Sequence, residues 1–281
     1  MILVNNKLVK QEAFGDKTLK CEIPETIKKS VLDFNFFGAG TKSYHIVWCY
    51  DNDSELFLLQ CIVDEIRDIE PTAIISLKMP YIPNARQDRR VSNRFFTLKS
   101  FCKIINNMNF EYVSVLDPHS DVSTALLDRV STMDVNLFVD SIILPYDTIM
   151  FPDLGSSKKY GYLNIVKNHK VVVGNKVRDW STGSIKSLEI IGDIEDVKDK
   201  DILIVDDVCS FGSTYFFAGQ KLKEMGARNV YLYVSHCEDS VYKGKLVEQG
   251  SPIDVIVTTD SLLSEEHNQV KIIRNFREIK S

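Results

Sequence analysis

The sequence predicts an α/β protein of two similar halves, each a mostly parallel sheet flanked by helices. Three observations predict it. Short aliphatic runs alternate along the chain with helical patterns. Most of those runs are continuously apolar rather than alternating, as strands buried on both faces are. The alternation also restarts near residues 136–148, which divides the chain into residues 1–135 and 136–281.

The candidate strands are His45–Tyr50, Ala73–Lys78, Val113–Asp117, Thr148–Pro152, Lys170–Gly174, Ile202–Asp207, Val230–His236 and Val255–Asp260. Between them lie helical patterns at Ser54–Asp68, Phe95–Met108, Asp121–Val130, Ser156–Val166, Thr214–Met225 and Ser240–Gln249. Gly226 follows the fifth of these, where a helix C-cap is expected. In such a fold, ligand loops belong at the carboxyl ends of strands.

The 281 residues are 44% hydrophobic and 26% charged, enough apolar material to bury a core in each half. A net charge of -5 argues against a nucleic-acid partner, whose footprint would be basic. No apolar run reaches the ~20 residues of a membrane helix, and the N-terminus lacks a signal-peptide pattern. Six cysteines (Cys21, Cys49, Cys61, Cys102, Cys209 and Cys237) are scattered without any CxxC pair, which predicts reduced thiols and a cytoplasmic protein.

The most informative segment begins with the aliphatic strand Ile202–Val205, then Asp206 and Asp207, then Ser210, Phe211, Gly212, Ser213 and Thr214, where a helix starts. Small residues let the backbone turn its N–H groups inward, and the helix adds its positive end, so an anion binds there. The two acids would repel a phosphate in contact but can accept bonds from sugar hydroxyls, with magnesium nearby. Phosphate plus diol means a ribose phosphate. A strand that merely ended in a solvated acidic turn would not need the Gly/Ser/Thr entry into a helix.

In the first half, residues 79–94 read MPYIPNARQDRRVSNR, with Arg86, Arg89, Arg90 and Arg94 bringing four guanidinium groups onto one loop after a strand. Such forks suit polyphosphate, and Gln87 and Asp88 add polar specificity.

These segments resemble the phosphoribosyl pyrophosphate synthetases, also called ribose-phosphate diphosphokinases. Asp206, Asp207, Gly212 and Thr214 match the phosphoribosyl-binding signature of that family and of the type I phosphoribosyltransferases. Ser210 stands where an acid is usual and Phe211 where a threonine is. Pro80, Tyr81 and Ala85–Arg89 match the segment peculiar to the synthetases. Val115–His119 resembles the strand end whose histidine lies at the magnesium–ATP site. Residues 151–159 resemble the pyrophosphate loop through Asp153, Gly155, Lys158 and Lys159, with Ser156 replacing its second glycine. Lys176 and Arg178 look like the catalytic Lys-x-Arg at the root of a loop running to about Ser187. Phe14 and Asp16 fall where the family has its adenine loop, with Thr18 in place of a glutamate.

The resemblance implies two type I phosphoribosyltransferase-like domains, an ATP-binding half over 1–135 and a ribose-phosphate-binding half over 136–281. It implies Phe14, Asp16, Arg86, Gln87, Asp88, Arg89 and His119 at ATP, Ser210 to Thr214 with both aspartates at ribose 5-phosphate, and His119 and Asp153 beside Mg²⁺. It further implies a homo-oligomer, a dimer unit often assembled to a hexamer. Two alternatives stay open. A type I phosphoribosyltransferase would account for Asp206–Thr214 but not for Ala85–Arg89 or Lys176 and Arg178. A non-catalytic synthetase-associated subunit would account for the substitutions at Thr18, Ser156, Ser210 and Phe211.

Overall fold

The computed structural model describes residues 1–13, 19–21, 42–91, 93–178 and 185–278. The chain divides into two compact units, Met1–Met133 joined by the C-terminal residues from Phe276, and Asp134–Asn275. Each carries one mostly parallel sheet with helical crossovers.

The first unit contains β1 (Ile2–Val4), β2 (Lys7–Leu8), the small hairpin β3 (Gln11–Ala13) and β4 (Leu19–Cys21), then β5 (Ser43–Trp48), α1 (Ser54–Ile69), β6 (Ile74–Lys78), α2 (Thr97–Asn107), β7 (Tyr112–Leu116), α3 (Asp121–Leu126) and β8 (Val130–Met133). The sheet order is β2-β1-β5-β6-β7-β8, with β5 to β8 parallel and the β1–β2 hairpin antiparallel at one edge. Asn5 and Asn6 both have positive φ at the tip of that hairpin, the two-residue turn that matches strand twist.

Helix α1 buries Leu58, Leu59, Ile62, Val63 and Ile66, an apolar stripe at helical spacing. Its first turn also buries Glu55, which accepts bonds from the Trp48 indole at 3.0 Å and the Asp51 backbone N–H at 2.9 Å, and pairs with the α-amino group of Met1. A buried carboxylate survives because these donors replace water. The C-terminal residues close the same corner, Arg277 bonding Asp51 at 2.7 Å. Burial alone would raise the Asp51 carboxyl, but Arg277 and the Met1 amine outweigh it and hold it below the usual range.

The second unit contains α4 (Asn136–Val139), β9 (Thr148–Phe151), α5 (Leu154–Tyr160), β10 (Lys170–Arg178), β11 (Ile185–Ile191), β12 (Asp201–Cys209), α6 (Ser213–Glu224), β13 (Asn229–Cys237), β14 (Val255–Thr259) and β15 (Val270–Ile273). Their order is β11-β10-β9-β12-β13-β14-β15, parallel except for β11. Thr148–Phe151 is buried throughout, as a central strand must be. After α6, the Gly226 N–H bonds the Lys223 carbonyl and the Ala227 N–H bonds the Leu222 carbonyl, each at 3.0 Å. With Gly226 at φ +91°, this is the expected glycine cap in its double-bonded form.

Several elements differ from the sequence expectation. The Asp121–Val130 helix stops at Leu126, and Val130–Met133 pairs instead with β7 as an edge strand. The Ser156–Val166 helix starts earlier and breaks at Gly161, a short 3₁₀ turn following at Asn164–Lys167. Ser240–Gln249 is two 3₁₀ turns, Asp239–Lys243 and Lys245–Val247, separated by Gly244. Gly244 is extended there, at φ -99° and ψ 177°, and a Cβ on it would lie 2.1 Å from the Phe211 carbonyl oxygen. Strand β10 runs on past Gly174 to Arg178 because β11 pairs with it.

Candidate functional site

In the first unit, β6 and β7 are parallel neighbours, so the segments leaving their carboxyl ends emerge side by side. The Met79 N–H bonds the Ser114 carbonyl at 2.8 Å and the Leu116 N–H bonds the Pro80 carbonyl at 2.9 Å, fixing the root of the arginine loop. Buried Met79, Ile82 and Ala85 then anchor its path. The result is a cavity of about 540 Å³ lined by Arg86, Gln87, Asp88, Arg89, Val91, Arg94, His119 and Val122. Every first-half ATP residue of the sequence reading that lies in the described chain is in this lining. Arg90 is outside it. Phe14 and Asp16 lie outside the described residues.

Thr97 donates to the Gln87 side chain at 3.2 Å and holds it from the start of α2. Just before His119, buried Asp117 has φ +43° although Pro118 follows it, a costly backbone for a pre-proline residue. That kink lets the chain leave β7 sharply and brings exposed His119 into the lining.

In the second unit, β9 and β12 are parallel neighbours, and the loops that follow them meet. Asp153 heads α5, its Oδ1 accepting from the Ser156 N–H at 2.9 Å. The Ser156 hydroxyl bonds Asp206 Oδ1 at 2.9 Å. Lys159, one turn along, has its Nζ 3.6 Å from Asp207 Oδ2. Gly155 packs tightly, a Cβ there falling 3.1 Å from Asp153 Oδ1. Lys158 is exposed.

The two acids are strand residues rather than the strand's end. Pairing continues through Val208 with His236 and Cys209 with Cys237, which carries β12 to Cys209. Asp206 is half-buried and Asp207 buried. The Asp207 Oδ1 accepts from the Val208 N–H at 2.9 Å. The Tyr215 hydroxyl lies 2.9 Å from Asp206 Oδ2 and 2.7 Å from the Val208 carbonyl. Burial first, then the nearby Asp206 charge, pushes the Tyr215 phenol well above its ordinary pKa, so it stays a proton donor. Sequence reasoning missed Tyr215, because nothing in the chain announces that a helix residue will face a strand acid.

Between them runs the loop Ser210–Gly212. Gly212 sits at φ +78° as the N-cap of α6, and no side chain caps the N–H groups of the helix's first turn. Leu246 packs so closely that a Cβ on Gly212 would lie 2.2 Å from its Cδ1. The Ser210 hydroxyl lies 2.9 Å from that of Ser240, which donates to Glu238 at 3.1 Å. Phe211 points outward, 55% exposed. Ser213 and Thr214 form the first turn of α6.

Lys176 and Arg178 stand on the β10 backbone opposite Leu188 and Ile185, with a register shift between Val177 and Arg178. They are among the last residues of β10, directly before residues 179–184, which lie outside the described residues. Among the described residues no cluster of three or more His, Cys, Asp and Glu forms a ready-made metal cage, and no helix is long and apolar enough to cross a membrane.

No family model matches the chain. It is 26% identical over 234 residues to the ribose-phosphate pyrophosphokinase of Campylobacter jejuni, covering 80% of this chain and 73% of that one. It is 28% identical over 238 residues to the protein of the same name from Vibrio parahaemolyticus, covering 78% and 70%. The phosphoribosylpyrophosphate synthetase of Mycobacterium smegmatis superposes with a TM-score of 0.71 at 17% identity, over 95% of this chain and 86% of that one, which establishes the fold. Sequence and fold thus agree on one kinship: the chain is a divergent relative of the ribose-phosphate pyrophosphokinases.

Proposed function

We propose that this protein is a ribose-phosphate diphosphokinase, transferring the β,γ-diphosphoryl group of ATP to the C1 hydroxyl of ribose 5-phosphate. The products are phosphoribosyl pyrophosphate and AMP. One observation carries the reading: a cavity lined by Arg86, Arg89, Arg94 and His119 stands in a unit separate from the sugar-phosphate loop. A transferase that consumed phosphoribosyl pyrophosphate would have no use for a second, polyphosphate-binding pocket.

The residues divide the work. Arg86, Arg89 and Arg94 present forked donors to the ATP phosphates, while Gln87 and Asp88 add directional contacts. The first turn of α6 and the Ser210–Thr214 backbone take the 5-phosphate, and the acids Asp206 and Asp207 serve the diol. Asp153, Gly155, Ser156, Lys158 and Lys159 line the path of the diphosphoryl group. The C1 hydroxyl attacks the β-phosphorus as the bond to the AMP oxygen breaks, and the charge grows on phosphoryl oxygens. Lys176 and Arg178 are assigned to that charge, so catalysis is positioning and electrostatic stabilisation. Phe14 and Asp16 are assigned to the adenine.

Mg²⁺ fits the donors present. It is usually held by one or two carboxylates plus substrate phosphates rather than by a protein cage. His119, which lines the first unit's cavity together with Asp88, and Asp153, at the head of α5 in the second unit, are each proposed as a Mg²⁺ neighbour within its own unit. When bound, it neutralises phosphate charge. A homo-oligomer in the cytoplasm completes the proposal.

The test is direct. Purified protein with ATP, ribose 5-phosphate and Mg²⁺, and no nucleobase, is followed by phosphorus NMR. AMP and phosphoribosyl pyrophosphate should appear in equal amounts. Formation of neither would reject the reading and favour a non-catalytic subunit.

A further inference from the structure

Two side chains outside the acid pair and its phosphate loop converge on the first of the two consecutive acids. Ser156 comes from α5 and Tyr215 from α6, and each puts a hydroxyl 2.9 Å from a different oxygen of Asp206. Asp207 is treated otherwise. It is 5% exposed, one of its oxygens accepts from its neighbour's N–H, and the other faces Lys159 at 3.6 Å.

We propose that Ser156 and Tyr215 are positioning residues, holding the Asp206 carboxylate to receive a hydroxyl of a pentose 5-phosphate, while Asp207, which faces Lys159, contributes less to the same site. The proposal rests on the sugar-phosphate reading of the second unit. Its geometric basis is the strand: successive residues send their side chains to opposite faces, so the two acids are presented differently. Half-exposed Asp206 is the one a ligand above the sheet end can reach.

A carboxylate oxygen has two lone-pair directions, so a bond from Ser156 or Tyr215 leaves it able to accept another. The two hydroxyls fix its torsion beforehand, so ordering it is no longer a cost of binding. Tyr215 can give its proton to either Asp206 or the Val208 carbonyl. A charged acceptor makes the stronger bond. Ser156 likewise touches Asp153 Oδ1, but at 3.3 Å, the longer of its two contacts.

The experiment is titration calorimetry of the whole protein with ribose 5-phosphate, its 2-deoxy and 3-deoxy analogues, and inorganic phosphate. The variants are Tyr215→Phe, Ser156→Ala, Asp206→Asn and Asp207→Asn. Tyr215→Phe should weaken ribose 5-phosphate roughly tenfold, the worth of one hydrogen bond to a charged group. Inorganic phosphate should bind it as it binds the parent. The loss should vanish for whichever deoxy sugar lacks the hydroxyl that Asp206 receives, and Ser156→Ala should also weaken ribose 5-phosphate more than that deoxy sugar.

A merely structural Tyr215 would weaken every ligand alike, and that uniform loss overturns the proposal. So does an Asp207→Asn loss equal to that of Asp206→Asn with Tyr215→Phe silent. If the parent binds phosphate but not ribose 5-phosphate, the sugar-phosphate reading falls, and this proposal falls with it.

Discussion

Lys159 Nζ lies 3.6 Å from Asp207 Oδ2, tying the helix after β9 to β12. The pair joins two segments that are 48 residues apart in sequence and that form one site only because β9 and β12 are neighbours in the sheet.

That pairing predicts an asymmetric stability effect. Asp207→Asn leaves an ammonium in a buried setting and should cost about 1–3 kcal/mol, less than a fully buried pair because the Lys159 side chain keeps some solvent. The double variant Lys159→Met with Asp207→Leu should recover most of it. Urea unfolding of Lys159→Met, Asp207→Leu and the double closes the cycle. Additive losses would mean that the two groups do not interact.

Lys176→Ala and Arg178→Ala should each lower turnover by roughly two or more decades, the scale of losing one transition-state donor. Affinities for both substrates should change little. Single-turnover rates beside calorimetric affinities decide this, and near-normal turnover in both variants would remove them from the mechanism.

Gly244→Ala should cost about 1–3 kcal/mol through overpacking, because a Cβ there lies 2.1 Å from the Phe211 carbonyl oxygen. It should also weaken inorganic phosphate, since Phe211 belongs to the loop that must move. Gly250→Ala is the control: its φ of +84° costs about 1 kcal/mol, but nothing lies within 4 Å, so phosphate binding should survive. Thermal melts with and without phosphate separate the two.

The last prediction concerns acid. Arg228 donates to both oxygens of Asp201, at 2.8 and 2.7 Å, and Asn229 adds a bond at 2.8 Å. Arg228 first, with Asn229 helping against burial, holds the Asp201 carboxyl below its ordinary pKa. A depressed folded pKa gives stability that is fully present above about pH 4, the unfolded value, and is lost as pH falls through the folded one. Arg228→Gln should therefore destabilise the protein at pH 7, and the difference from the parent should shrink below pH 4. A difference constant from pH 7 to pH 3 would show that the bond contributes nothing ionic.

Much of this was legible in the chain, and the rest has physical causes. Ser54–Ile69 declares itself by apolar residues at helical spacing, and Ile202–Val205 by an unbroken aliphatic run between two buried faces. The Arg86–His119 lining was legible as motif, although Val91 and Val122 needed the fold. Val130–Met133 was not, because a half-exposed edge strand has neither a continuous apolar run nor a clean alternation. Ser240–Gln249 has helical composition, yet an extended Gly244 packed against the Phe211 backbone splits it into two short turns. The Tyr215–Asp206 contact depends on how α6 lies against β12, which no local pattern encodes.

The bond from Arg277 to Asp51 bears on the order in which the protein can be made. A ribosome delivers Asp51 early and Arg277 more than two hundred residues later. The first unit can collapse around its own sheet as it emerges, yet its corner by Met1, Asp51 and Glu55 waits for a residue made after the whole second unit. A nascent chain stalled after the second unit would carry that corner unfinished, with two carboxylates beside one amine. The unit that starts before the other is completed after it.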